Sequence, residues 1–231
     1  MNFARSLALC ALAALPLASQ AAIVTYDFSA NVSSMFTFQS TANGDVYDHN
    51  FSSTDVPGVT ISMGDRVTGR ISYDTSAAPA PWVQPGSGGM GYPELINTLT
   101  FQFQPSGLQY SGASQYSNLF VSINPSGYRF GALNFSTEDA ALHNQGGLNF
   151  IDPSSAAPHS LDIPSHINLS DYPIAQVSYY WQSQTGGPDL YVDANISSLT
   201  EVSAVPEPSQ WLMLAAGALL LAGASRRARR G

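Results

Sequence analysis

Residues 64–74 read GDRVTGRISYD, and this stretch decides the fold class. Val67, Gly69, Ile71 and Tyr73 occupy every second position, with polar residues between them. Successive side chains of a β-strand point to opposite faces of a sheet, so this alternation predicts a strand with one face on a core.

The same signal recurs on both sides of this stretch. Further strands are predicted over 22–28, 99–103, 119–123, 128–135, 175–181 and 190–196. Turn signals such as Asn43-Gly44 and Pro57-Gly58 separate them, and no segment here keeps a 3.6-residue period. Residues 77–93 and 152–173 are predicted to be long loops. The pattern predicts an all-β fold, a single β-sandwich or jelly-roll-like domain over residues 22–204.

The predicted domain is strongly acidic. It holds 15 acidic residues, three arginines and no lysine, so its formal net charge is 3 − 15 = −12. Nucleic acids and anionic membrane surfaces need a basic face, so they are excluded as partners. Calcium and neutral glycans remain compatible with this charge.

Residues 1–21 have the layout of a secretory signal peptide. Arg5 precedes an apolar run over 7–17, and small residues follow, so cleavage is predicted after Ala21 or Ala22; Ala21 fits better because it places the small Ser19 at the −3 position. Cys10 is the only cysteine of the chain and lies inside this segment. The remaining chain would then have neither a disulfide nor a thiol nucleophile.

The opposite end predicts a membrane anchor. Residues 209–225 are uncharged and long enough for a short transmembrane helix, and Trp211 suits the membrane interface. Four arginines follow directly and should retain the C-terminus in the cytoplasm, which places the domain outside. They are Arg226, Arg227, Arg229 and Arg230.

A short motif precedes this helix. Pro206-Glu207-Pro208 is biased towards extended backbone by its two prolines, and Glu207 offers one carboxylate for recognition. The motif, the helix and the arginine-rich end together resemble the PEP-CTERM sorting segment of exported bacterial proteins, here over residues 205–231. Residues 64–74 and 193–202 also resemble an early and a last strand of such proteins.

The resemblance implies sorting by an exosortase, a membrane-embedded cysteine protease-transpeptidase. It implies a protein anchored in the inner membrane before processing, and then found at the cell surface or outside the cell. It also implies association with exopolysaccharide and biofilm matrix.

Aromatic side chains are the candidates for glycan binding, because the apolar C–H faces of sugars stack on aromatic rings. Trp82 and Tyr92 lie in the Pro/Gly-rich loop and are the predicted contacts. Tyr180 and Trp181 are adjacent on a predicted strand and should point to opposite faces.

The sequence patterns that could indicate a metal site or a catalytic site are weaker than the aromatic pattern. Asn43-Gly44-Asp45 with Asp48, and Asp189 with Asp193, offer oxygen ligands for calcium, although turn chemistry also explains the first group. His159, Asp162 and His166 lie in a proline-rich loop without a fixed spacing. The sequence also has no Gly-x-Ser-x-Gly motif, which would indicate a serine nucleophile. From these patterns we assign no catalytic residue, no metal ligand and no required cofactor.

The sequence therefore predicts a non-enzymatic, exosortase-sorted protein of the cell surface or extracellular matrix. Its role would be structural or associated with exopolysaccharide. The alternatives are a secreted glycan- or calcium-binding module and a secreted hydrolase.

Overall fold

Residues 66–74 form a β-strand in the computed structural model, which describes residues 23–75, 88–93, 96–124, 127–136, 144–154 and 160–202. Twelve strands and one short 3₁₀ helix (Leu169–Asp171) make up these ranges. The first six strands are β1 (Ile23–Thr41), β2 (Gly44–His49), β3 (Ser52–Ser53), β4 (Ile61–Ser62), β5 (Arg66–Asp74) and β6 (Gly88–Pro93). The other six are β7 (Ile96–Gln104), β8 (Gln109–Asn124), β9 (Gly127–Ser136), β10 (Asn144–Asp152), β11 (Ile174–Trp181) and β12 (Asp189–Glu201).

Ten of these strands form one antiparallel sheet that closes on itself. Its order is β12-β11-β10-β9-β8-β7-β5-β1-β2, with β6 beside β8, and β12 also pairs with β1. Strands β3 and β4 form a separate two-stranded sheet. Neighbours in the main sheet are mostly neighbours along the chain, so it is a meander and not the crossed arrangement of a jelly roll.

The interior of the closed sheet is filled by side chains from opposite walls. The rings of Tyr73 on β5 and Phe130 on β9 lie 5.6 Å apart between centroids. Those of Phe103 on β7 and Tyr179 on β11 are 5.7 Å apart. These strands are not neighbours in the sheet, so the contacts cross the core. Opposite walls of the sheet therefore pack on each other across the core, as the two layers of a sandwich do.

The long first strand changes face part-way along its length. Positions 24, 26, 28, 30 and 32 are buried, as period two requires, but the next buried residue is Met35. The register with β12 shifts between Val32 and Ser34, so Ser33 is the extra residue of a β-bulge. Because one inserted residue reverses the alternation, Phe36 and Phe38 lie on the outer face.

The segment 160–173 closes one end of the sheet. Ile163, Ile167 and Tyr172 are buried. The Tyr73 hydroxyl donates to the Pro164 carbonyl at 3.0 Å, and the Ile167 N–H donates to the Tyr26 hydroxyl at 2.7 Å. We call residues 160–173 the plug, because its apolar side chains complete the core there.

The all-β prediction is confirmed, and each predicted strand overlaps an observed one. Residues 160–173 are irregular apart from the 3₁₀ helix, as the loop predicted over 152–173 requires, but Ile163, Ile167 and Tyr172 of this plug are buried. The loop predicted over 77–93 is wrong at its end, since residues 88–93 form β6. The sandwich-like packing agrees with the prediction, whereas the strand order is a closed meander and not that of a jelly roll.

Candidate functional site

Six rings lie together on the outer face of four adjacent strands. Direct cross-strand pairs join His49 to Phe36, Phe36 to Tyr191, and Tyr191 to Tyr180, across β2, β1, β12 and β11. A second row places Tyr47 opposite Phe38. We call this group the aromatic cluster; its members are Phe36, Phe38, Tyr47, His49, Tyr180 and Tyr191.

The rings of the aromatic cluster contact one another closely. Phe36 and Tyr191 are stacked with centroids 4.7 Å apart, and Tyr191 lies 4.6 Å from Tyr180. Tyr47 is tilted against Phe38 at 5.0 Å and keeps 61% of its surface exposed. Such cross-strand pairs stabilise the sheet, and Tyr47 also presents ring surface to solvent.

Polar groups adjoin the cluster. The Tyr180 hydroxyl donates to Asp189 Oδ2 at 2.9 Å, and the Ser183 N–H donates to Asp189 Oδ1 at 2.9 Å. Burial is the main cause that raises the pKa of Tyr180, and the hydrogen bond to Asp189 is the second. Burial is also the main cause that raises the pKa of Tyr191. Both hydroxyls therefore stay protonated near neutral pH. The surface combines apolar rings with hydroxyl donors and a carboxylate acceptor.

Only one member of this cluster was apparent from the sequence. Tyr180 and Trp181 do point to opposite faces, since Trp181 packs against the core. The alternation of Phe36 with Phe38 and of Tyr47 with His49 was the available signal. Their convergence depends on the bulge at Ser33 and on the pairing of β1 with β12, neither of which has a local sequence signature.

The exposure expected of Tyr92 is not found. Its side chain is 2% exposed, and its hydroxyl donates to the Leu161 carbonyl at 2.8 Å. The ring belongs to the core beneath the plug, so it has no free face on which a sugar could stack. Trp82, the other predicted glycan contact, lies outside the described residues.

Two of the acidic residues considered for calcium, Asp189 and Asp193, have hydrogen-bond partners within the protein. Ala42 and Asn43 form the turn between β1 and β2, and Gly44 follows them at φ +116°, which glycine adopts readily. Asp193 accepts a hydrogen bond of 2.7 Å from the Ser178 hydroxyl, and Asp189 is engaged as described above. Within the described ranges, no three His, Cys, Asp or Glu side chains converge as a metal site would require.

His166 and Asp162, which were considered together as metal ligands, have different partners in the fold. His166 Nδ1 lies 2.8 Å from Glu201 Oε2, whereas Asp162 accepts a hydrogen bond from the Ser160 hydroxyl. His159 lies outside the described residues.

The predicted sorting segment also lies outside the described residues. This applies to Pro206, Glu207 and Pro208, to the helix over 209–225, and to Arg226, Arg227, Arg229 and Arg230. It applies equally to the signal peptide over 1–21. Between residues 23 and 202, in the ranges that the structure describes, no helix has the length and apolar character of a membrane span.

Comparison with known proteins identifies the C-terminal segment. Residues 204–230 match the PEP-CTERM protein-sorting motif, as the resemblance of residues 205–231 predicted. No curated protein and no solved structure matches the chain. A PEP-CTERM motif implies an exported protein that is held at the membrane and processed by an exosortase. The chain therefore carries the sorting motif of the exosortase substrates at its C-terminus.

Proposed function

We propose that the chain is a non-enzymatic protein of the cell surface or extracellular matrix whose exported domain associates with extracellular polysaccharide. The sorting motif at residues 204–230 supports delivery to that location. The proposal requires no cofactor and assigns no catalytic residue.

The aromatic cluster is the observation that carries this proposal. The core is occupied by contacts between opposite walls, such as that of Phe103 with Tyr179, so a ligand would be expected on the outer surface. There the cluster offers apolar ring surface beside hydroxyl and carboxylate groups. Sugars present the matching combination of C–H faces and hydroxyls. The exposed ring of Tyr47 replaces Tyr92 as the stacking candidate, and Trp82 remains a second one.

The sorting role is tested by replacing Pro206, Glu207 and Pro208 with alanine. We expect the variant to stay in the inner-membrane fraction and to keep its C-terminal segment, as measured by fractionation and intact mass. Pro188→Ala is the matched control, because it removes a proline from a turn of the domain. Unchanged location and processing of the triple variant would refute exosortase sorting through this motif.

The polysaccharide role is tested on the full chain in detergent micelles. We expect co-sedimentation with insoluble exopolysaccharide extracted from the producing bacterium. Micelles containing an unrelated single-span protein are the control. Absence of binding would contradict the proposed role, and turnover of glycans or esters by the same preparation would favour the hydrolase alternative.

A further inference from the structure

A row of four amide side chains crosses the outer face of the same sheet. Asn31 on β1 pairs with Asn195 on β12, Asn195 with Gln176 on β11, and Gln176 with Asn149 on β10. Gln176 Nε2 donates to Asn195 Oδ1 at 3.3 Å, so the two central amides of the row are in contact. We call these four residues the amide row.

The amide row and the aromatic cluster belong to one continuous surface. Along β12 the outward positions are Tyr191, Asp193 and Asn195, and along β11 they are Tyr180, Ser178 and Gln176. The Ser178 hydroxyl donates to Asp193 Oδ1 at 2.7 Å, midway between the two groups. Along the strands, the amide row and the aromatic cluster are four residues and therefore about 13 Å apart. Across the strands, each group extends over four strands, or about 14 Å.

We propose that this surface, from the amide row on β10, β11, β12 and β1 to the aromatic cluster and Tyr47 on β2, is a binding site for an extended neutral polysaccharide. The inference rests on the proposed function and deepens it, since it assigns the site and the chemical class of the ligand. Amides both donate and accept hydrogen bonds, as sugar hydroxyls do. Tyr47, at the exposed end of the aromatic cluster, supplies the ring on which a sugar stacks.

The charge of the domain selects a neutral ligand. Residues 22–204 carry a net charge of 3 − 15 = −12 and no lysine. Asp193 lies inside the surface and Asp189 at its margin, so both repel uronic acid or phosphate groups. The same net charge on two copies opposes self-association through this face.

Two arginines flank the amide row and already have partners. Arg129 donates to Asn149 Oδ1 from Nε at 3.1 Å and from Nη2 at 2.6 Å, and its guanidinium lies 4.9 Å from the centroid of the Phe120 ring. Arg66 Nη2 donates to the Ser29 hydroxyl at 3.3 Å. Arg129 therefore anchors the Asn149 end of the row, and Arg66 is engaged by Ser29 beside the other end, so neither lies at the centre of the row.

The test is affinity electrophoresis of the full chain in detergent, which measures how far a polysaccharide in the gel retards the protein. The gels contain dextran, galactomannan or hydroxyethyl cellulose, and a gel with polygalacturonate is the anionic comparison. Wild type should be retarded by at least one neutral polysaccharide and not by polygalacturonate. The double variant Asn195→Ala, Gln176→Ala and the single variant Tyr47→Ala should each weaken that binding by about fivefold or more. Gln176→Glu, which changes charge with little change in shape, should weaken it as well.

Matched controls separate this site from general effects. Phe51→Ala removes another exposed ring, 84% exposed, and Asn118→Ala removes an exposed amide of β8. Both should bind within about twofold of wild type. Thermal unfolding of every variant verifies that it is folded.

Three results would overturn the assignment. They are wild-type affinity in all site variants, retardation by polygalacturonate alone, and no retardation by any neutral polysaccharide. If the chain still co-sediments with the extracted exopolysaccharide in these cases, the site is wrong while the proposed function stands. If that co-sedimentation also fails, the proposed function fails too.

Discussion

At the scale of single residues, Gly69 shows why the core requires a glycine in the stretch that decides the fold. A Cβ at this position would lie 2.3 Å from the Thr100 carbonyl oxygen, 2.4 Å from Phe28 Cζ and 2.7 Å from Phe101 Cβ. The glycine therefore leaves room for the side chains of Phe28 on β1 and Phe101 on β7 against the backbone of β5. The sequence places Gly69 on the inner face, but only the structure shows what occupies its space.

Gly69→Ala should destabilise the domain by about 3 kcal/mol, because the backbone oxygen of a neighbouring strand cannot move aside without breaking the sheet. Equilibrium denaturation by urea measures the free energy of unfolding. Gly89→Ala is the matched control, since its nearest atom would be at 3.5 Å, an ordinary contact distance. The packing argument fails if both variants change stability equally.

At the scale of elements, tyrosine hydroxyls hold the plug on the end of the sheet. Tyr26, Tyr73 and Tyr92 extend from three strands and bond to Ile167, Pro164 and Leu161 respectively. Burial is the main cause that raises the pKa of each of the three tyrosines. They act as neutral hydrogen-bonding groups that fix a segment with little regular structure.

Tyr26→Phe should cost about 1–3 kcal/mol of stability, because the buried Ile167 N–H loses its acceptor while the ring is retained. Hydrogen exchange at the Ile167 amide should also become faster than in wild type. Tyr47→Phe, at an exposed tyrosine, serves as the control and should leave both quantities unchanged. Unaltered exchange at Ile167 in Tyr26→Phe would contradict the role assigned to this hydroxyl.

The elements differ in how far the sequence predicts them. Period-two runs predicted β5, β7 and much of β9, β11 and β12, because one face of each packs on the core. β10 was missed because Gly146 and Gly147 interrupt the pattern; a Cβ at Gly146 would lie 2.4 Å from Tyr110 Cε1, so a ring from β8 replaces the missing side chain. β2 was missed because all six of its residues are exposed.

The candidate site was harder to predict than the strands. Tyr180 was recognised as a prominent aromatic, whereas the rings that surround it come from β1, β2 and β12. Phe36 and Tyr191 are 155 positions apart, so their stacking depends on long-range register. Ser33 decides which face Phe36 occupies, and a serine at a bulge resembles any other polar residue of a strand.

At the scale of the whole molecule, buried tyrosines should make the fold less stable as the pH becomes alkaline. Burial raises the pKa of Tyr73, Tyr110 and Tyr179 above the ordinary value of 10.0. Above pH 10 the unfolded chain releases these protons while the folded chain keeps them. Stability is therefore complete below pH 10 and falls as pH rises through the range between the unfolded and folded values.

The free energy of unfolding should fall by about 1.4 kcal/mol per pH unit for each such tyrosine above pH 10. Absorbance of tyrosinate at 295 nm should then rise cooperatively, together with loss of the β-sheet signal in circular dichroism. The denatured chain in urea provides the reference and should titrate gradually near pH 10. Gradual titration of all tyrosines in the folded protein would contradict the burial described here.

The pairing of β1 with β12 has a consequence for the order of events during export. The first strand begins at Ile23 and its partner ends at Glu201, so the sheet cannot close until almost the whole domain has emerged. The sorting motif starts at residue 204, immediately behind that last strand. Translocation that proceeds from the N-terminus would therefore complete the fold and deliver the recognition segment at nearly the same moment. An exosortase that acts on the emerged segment would meet a domain whose last strand is already available to close the sheet.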